Sequence, residues 1–567
     1  MLPGLLSHLK NFWGRFSGVE QKLLLLFISL LAINSLFLVW GRFHYKVLVA
    51  KNGGTYTEGL IGQPRHINPI LAGTPVDMDL ARIIYNGLYK FDADLNLVPD
   101  LADFMPEIAP SGKEYTVRLK EELYWQDGVK ITADDLVYTF LAVQNPDYQS
   151  PSRFSWSRVE IQKIDARTVK IITREASATF IANFTLGILP KHIWESVPAE
   201  SFALSKFNVE PVGSGPFQIK EMKRGGGGEI RSITFKPFDR YHLGRPYLNR
   251  VIFKFYATTD ELISAYQKRD IMSLGYRPFD DKLFIQPKSK LRQFFLPLPE
   301  YQAVFINRSK NPAPLEDVRV RTALAKAVDK RKIIAEVYGS QSSESYGPIL
   351  PGHLGYHEQI PGADMNIYDP EKSKALLDEA GWQMDPENGF RKDKLNRIIT
   401  LSLATNNLTQ NVRVAGSLKE MWENIGIQII LNIETVGDLD EKFIRPRNYE
   451  LLLYSENVGA DPDPWPYWHS SQLRDPGLNL STFSNAQADK LLVEARANIL
   501  PDERAAKYRK FQEIFVGDVP AIFVSRNIFV YNVATDVKGI SLQTIVTPSE
   551  RFADIAKWYI ETKRVKE

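Results

Sequence analysis

Cysteine is absent from all 567 residues. That single absence excludes disulfides, thiolate metal sites and a cysteine nucleophile together, and it excludes a lipidated cysteine as a membrane tether, so any tether must be made of protein. An excess of charge of one sign is also missing: 70 Lys and Arg stand against 67 Asp and Glu, a net charge of +3, with no basic cluster in view. A nucleic-acid binder would concentrate its cations on one face, so no nucleic-acid partner is expected. G-x-S-x-G, H-E-x-x-H and G-x-x-x-x-G-K-(S/T) do not occur, which removes the serine-hydrolase elbow, the zincin helix and the ATP-hydrolysing loop. His353 and His357 are four apart, but in LPGHLGYHEQIPG they sit among prolines and glycines rather than on a helix, and no metal site is expected there. No catalytic residue and no cofactor is expected anywhere in the chain. Internal repeats are absent, and 34 Pro and 35 Gly are an ordinary globular share. At this length one core does not suffice, so the chain should divide into two or three lobes.

Long uncharged stretches are scarce too, with one exception. Leu23 to Trp40, LLLLFISLLAINSLFLVW, carries no charge over 18 residues, roughly 27 Å as a helix, which is long enough to cross a bilayer. Before it, Leu2, Leu5, Leu6, Leu9, Phe12, Trp13 and Phe16 share one helical face, as an interfacial helix or a loosely ordered leader would. A cleavable signal would have a shorter apolar run and a small-x-small exit. The best exit here ends at Ala50 with Leu48 two positions before it, so the run reads as an uncleaved anchor rather than a removed signal. Flanking charge does not orient it, since Lys10, Arg15 and Lys22 on one side balance Arg42, Lys46 and Lys51 on the other.

In the body, Thr132 followed three residues later by Asp135 makes a helix capping box, which accounts for the adjacent carboxylates Asp134 and Asp135 without acid/base chemistry. Gly225 to Gly228 lies between β-rich stretches and reads as a hairpin tip. The most informative stretch runs from Val304 to Gly339. Val304, Phe305 and Ile306 read as a buried strand ending at Asn307, before a loop with Pro312 and Pro314. Asp317 is a plausible N-cap. Val320, Ala323, Leu324, Ala327 and Val328 then follow at helical offsets, and a second helix runs from Asp329 through Ile333, Ile334 and Val337 to Gly339.

The wording of that segment, N-x-(few)-P-L-x-D-x-R-V-R-x-A-L-x-x-A-V-D-K-x-x-I, resembles the most diagnostic stretch of the large solute-binding proteins that serve oligopeptide and dipeptide ABC importers, the bacterial solute-binding proteins of family 5. The opening GGTYTEGLIGQPRHINPILA, then YTVRLKEELYWQDGVKITADDLVYTF and GSGPFQIKEM, are similar to that family as well, so the resemblance covers about residues 51 to 560. It implies an α/β, two-lobed periplasmic-binding-protein-like (type II) fold with an extra domain, preceded by one N-terminal transmembrane helix. The expected division is a cytoplasmic or interfacial leader at 1–22, an anchor at 23–40, lobe I at 51–93, 210–288 and 525–567, an accessory domain at 94–209 and lobe III at 289–524. It further implies a monomeric receptor, its large C-terminal part outside the cytoplasm, that captures a peptide or related small solute between its lobes and hands it to an ABC permease and its ATPase. The rival reading is a surface receptor, chaperone or adhesin that keeps the fold with its cleft filled by its own rings.

The stretch that suggests binding is YSENVGADPDPWPYWHSSQ. Trp465, Tyr467 and Trp468 lie among Pro462, Pro464 and Pro466, which exclude an amphipathic helix or a central strand, so the rings need either a packing partner or a ligand. By the resemblance this loop lies at the mouth of a cleft. The expected ligand-binding set is Asn68, Tyr301, Tyr454, Glu456, Val458, Gly459, Asp461, Asp463, Trp465, Tyr467 and Trp468. One departure matters: where the family places an aspartate for the ligand's amino group, three residues before the Asp-Pro pair, this chain has Val458. Loss of that partner would weaken binding of a bare ammonium by about 2 to 5 kcal/mol. Glu456 or Asp463 could substitute.

Overall fold

A computed structural model describes residues 16–44, 46–276, 290–310, 312–339, 341–361 and 367–566. The apolar face expected from Leu2 to Trp13 lies outside these residues. The apolar run forms part of a helix, Gly18–His44, longer at both ends than its uncharged centre. Gly18–Phe37 is long and apolar enough to cross a membrane and is not buried against the rest of the chain.

The body is organised on one mixed 11-stranded sheet. Two long antiparallel strands, Leu291–Ile306 and Ala521–Ala534, lie at its middle and serve both of its halves. On one side the first of them pairs with Leu451–Asn457, then come Thr400–Asn406 and Gln428–Glu434; on the other, the second pairs with Ser273–Tyr276, followed by Thr55–Ile61 and Arg250–Tyr256. The register between the two long strands shifts between Pro297 and Tyr301, where Pro297 can donate no ladder hydrogen bond. Side chains on either side of that break belong to different cores. Leu296, Leu298, Phe529, Tyr531 and Val533 pack with Tyr56, Leu80 and Phe253, whereas Val304, Ile306, Ile522 and Val524 pack with Leu324, Leu403 and Trp422. The expected join between residues 524 and 525 therefore falls inside a strand.

The Val304 to Gly339 segment folds as strand then helices. Asp317 caps Val318–Lys326 and Asp329 caps Lys330–Tyr338, each side chain accepting from a backbone N–H, and Gly339 closes the second helix at φ +54°. Thr132 and Asp135 form the expected capping box in front of Ala133–Gln144. Gly225–Gly228 links the antiparallel strands Phe217–Arg224 and Ile230–Pro237 as a hairpin tip. Thr400–Asn406, the helix Thr409–Glu423 and Gln428–Glu434 make a parallel strand–helix–strand unit. A separate four-stranded antiparallel sheet uses Glu107–Ile108, Glu114–Arg118, Thr168–Thr173 and Val159–Lys163.

A buried charge cluster fastens the C-terminal region to the sheet. Arg551 donates to Glu58 at 2.7 Å and to Asp79 at 2.7 Å, and Tyr531 donates to the same Glu58 at 2.8 Å. Arg551 bonds both oxygens of Asp79 and one of Glu58, and the second Glu58 oxygen accepts from the Ser273 hydroxyl at 3.1 Å as well as from Tyr531, which offsets the cost of burying that charge.

The aromatic loop and the space beside it

Leu451–Asn457 lies in register with the first long strand, so Glu456 is opposite Tyr301 and Tyr454 opposite Ala303. Tyr301 donates its hydroxyl to Glu456 at 2.7 Å. Glu456 is only 6% exposed. Burial pushes its carboxyl up to about 8, against the opposing pull of the Tyr301 hydroxyl and the Arg447 charge. At neutral pH it is therefore mostly protonated, a neutral acid waiting beside a tyrosine.

After the strand the chain turns sharply. Val458 donates its N–H to the Pro299 carbonyl at 2.8 Å and is buried, so the position where the resemblance implies a carboxylate is apolar and enclosed. Gly459 follows at φ +75°, a conformation a side chain resists, its N–H donating to Asn457 and its carbonyl accepting from the His353 ring at 3.1 Å. That bond occupies one nitrogen of His353; among the described residues no cluster of three metal-ligating side chains is found.

The prolines do not exclude helix altogether. Trp465–Trp468 forms a single helical turn capped by Pro464, because Pro466 falls in the first turn, where its missing N–H leaves no bond unmade. This turn divides the rings. Trp468 is fully buried, its ring 4.5 Å from Phe515 and 5.9 Å from Phe305, so it belongs to the core rather than to an open surface. Trp465 stays partly exposed with the Arg496 guanidinium 4.5 Å from its ring. Tyr467 donates to the Asn457 carbonyl at 2.7 Å, and Tyr454 is partly exposed.

Both loop aspartates already have cationic partners. Asp461 receives both of its bonds from Arg504, and Asp463 pairs with Arg496 at 3.1 Å and accepts from Thr179 at 3.4 Å. Burial raises the Asp463 carboxyl while Arg496 opposes it. Asn68 is sealed inside, its amide bonded to Asn208 at 3.2 Å and its oxygen accepting the Ile70 N–H at 3.1 Å, which is the geometry of a locked turn. The arginine partners were invisible to sequence reasoning, because they come from helices more than thirty residues downstream.

Beyond Asn68, Pro69, Met78, Arg82 and Tyr85 face Thr185 to Gly187 and Val546 to Glu550 across a cavity of about 280 Å³. The aromatic loop reaches its rim, where Asn457 donates to the Val546 carbonyl at 3.4 Å. A second contact, from the Ala178 N–H to the Arg496 carbonyl at 3.1 Å, joins the four-stranded-sheet region to the helix behind the loop. A larger cavity of about 600 Å³, lined by Lys330, Glu344, Tyr346 and Gln512 among others, shares no lining residue with the loop.

A model of bacterial extracellular solute-binding proteins, family 5, middle region, matches residues 96–477. The oligopeptide-binding protein AppA of Bacillus subtilis is 28% identical over 481 residues, 84% of this chain and 86% of that one. The dipeptide-binding protein of Escherichia coli is 25% identical over 504 residues, 84% of this chain and 90% of the other. The structure of the Bacillus subtilis AppA in complex with a nonapeptide superposes with a TM-score of 0.71 at 26% identity, covering 90% of this chain and all of that one. The two-lobed, type II periplasmic-binding-protein architecture implied by the resemblance is thus the architecture found, and its family consists of solute receptors rather than enzymes. With the matched model spanning more than half of its length, the chain belongs to the family 5 bacterial extracellular solute-binding proteins, the peptide and solute receptors of ABC importers.

Proposed function

We propose that this protein is a membrane-anchored, extracytoplasmic receptor that closes two lobes around a short peptide or a related small solute and delivers it to an ABC permease. The observation that carries this reading is the cavity of about 280 Å³ walled by Pro69 to Tyr85, Thr185 to Gly187 and Val546 to Glu550, with the aromatic loop bonded to its rim through Asn457. Three stretches far apart in the chain wall one open space, a little below the ordinary range of ligand-site volumes, about 300 to 1,000 Å³. The two long strands run through both cores, and the register break at Pro297 to Tyr301 is where they would flex to carry the aromatic loop off the rim of that space. In this reading lobe I is 51–93, 210–288 and 525–567, the accessory domain 94–209 and lobe III 289–524, and the protein acts as a monomer.

The comparisons support peptides as the ligand class, through the nonapeptide complex of a relative. Glu456 supports a role toward a free amino group: an ammonium placed near it would favour the ionised carboxylate and replace the partner that Val458 does not supply. Anchoring is supported by the first strand after the helix. Lys46–Ala50 pairs with the C-terminal strand Thr562–Lys566, so removal of the chain up to Ala50 would strip that strand of its partner. Tethering beside the permease raises the effective concentration of receptor there without any added contact. Calorimetric titration of the detergent-solubilised full chain with peptides of two to about nine residues tests this. Saturable binding that weakens on amino-terminal acetylation is expected, and absence of binding across all lengths would overturn it.

A further inference from the structure

The passage from anchor to body is bonded along its length. Helix Gly18–His44 ends one residue short of the strand Lys46–Ala50, which is paired residue for residue with Thr562–Lys566. Beyond the strand, Lys51 donates its N–H to Glu561 at 3.0 Å, Gly53 donates to Tyr247 at 2.8 Å, and Gly54 accepts from Asn249 at 3.2 Å, after which Thr55 enters the main sheet. Lys51 and Glu561 also form an ion pair at 3.2 Å. From Phe37, the end of the apolar window, to His44 is seven residues, roughly 10 Å of helix, and two further residue steps of at most about 3.6 Å each reach Lys46, so the ribbon starts within roughly 18 Å of the hydrocarbon edge whatever the helix tilt. The headgroup layer is itself roughly 5 to 7 Å deep on each side.

The ribbon suits that layer. Isolated two-stranded ribbons are marginal in water, yet Val47 and Leu48 are exposed here, and so are Lys563 and Arg564 on the partner strand. Register sets Leu48 beside Arg564 and Val49 beside Lys563, an apolar residue next to a cation on each face. The sequence also places Arg42, Lys46 and Lys51 on this flank, where positive charge works against translocation and so calls for another role. The geometry points to a docking surface for anionic lipid headgroups on the ribbon Lys46–Ala50 with Thr562–Lys566, which holds lobe I stiffly on the outer leaflet. This rests on the anchor reading above.

The test uses the full chain in nanodiscs of phosphatidylcholine alone or with phosphatidylglycerol, read by hydrogen exchange at Val47 to Ala50 and Thr562 to Val565. The expected result is exchange at least tenfold slower in the anionic discs, with the difference lost in 1 M salt, where screening falls to about 3 Å, and in K563E/R564E. Equal exchange in both lipids, with the chain still floating with the discs, would overturn the docking surface and leave the anchor standing. A chain that does not float with either disc overturns both.

Discussion

Glu456→Gln offers the sharpest check on how the site is built. The carboxyl is 6% exposed, touches the Tyr301 hydroxyl at 2.7 Å and has its pKa pushed up to about 8. A carboxyl whose folded pKa lies above its unfolded value binds more protons in the native state, so stability falls as pH rises from the unfolded pKa to the folded one. The unfolded carboxyl is half ionised at about 4.5 and the native one at about 8. Between pH below 4 and pH 7 the loss therefore accumulates over about 2.5 pH units, or roughly 3 kcal/mol. Glutamine keeps the shape and an oxygen to accept from Tyr301 but cannot ionise. The expected result is a variant about as stable as the parent at pH 4.5 and more stable by roughly 3 kcal/mol at pH 7, the gap widening through the interval. Urea unfolding of both proteins in detergent at half-unit pH steps measures it, and taking the difference removes every other titrating group. A gap that stays flat from pH 4.5 to 8 would refute the buried, unpaired carboxyl.

Trp468→Ala should cost about 3 to 5 kcal/mol in thermal or chemical unfolding, since its ring fills core space against Phe305 and Phe515. Arg551→Met leaves Glu58 and Asp79 buried without their cation and should destabilise by about 3 to 5 kcal/mol at neutral pH. That loss should shrink in acid as the carboxylates protonate. Val458→Asp restores a carboxylate beside the Asp-Pro pair and should tighten binding of free-amine peptides at least tenfold relative to their acetylated forms in calorimetry, even as it lowers stability.

Much of this fold was legible because its signals are local. Asp317, Asp329 and Thr132 announce helix starts within three residues of the N–H they accept. The second long strand, Ala521–Ala534, has an apolar start that breaks after Ser525. Arg526 and Asn527 interrupt its apolar alternation, and only the register with Leu291–Ile306 shows that Phe529, Tyr531 and Val533 continue the same strand. The site was harder for the same reason. Asp461 and Asp463 look like free carboxylates in the loop text, and the arginines that occupy them arrive from helices Ala486–Ala497 and Pro501–Asp518. Trp465 and Trp468 look alike in sequence, yet one helical turn sends the second into the core and leaves the first at the surface. The cavity wall at Val546 to Glu550 carries no motif at all, and only tertiary folding brings it to Pro69.

The absence of cysteine makes the central claim directly measurable, because two introduced thiols label without competition. With Glu160→Cys on the four-stranded sheet and Lys490→Cys on the helix behind the aromatic loop, both exposed, single-molecule energy transfer reports the distance between that sheet and that helix across the proposed cleft in the full chain. Addition of a mixture of short peptides should move the population to a single high-transfer state, and removal should restore a broader, lower one. One unchanged distribution, with calorimetry showing the same peptides bound, would contradict capture by closure.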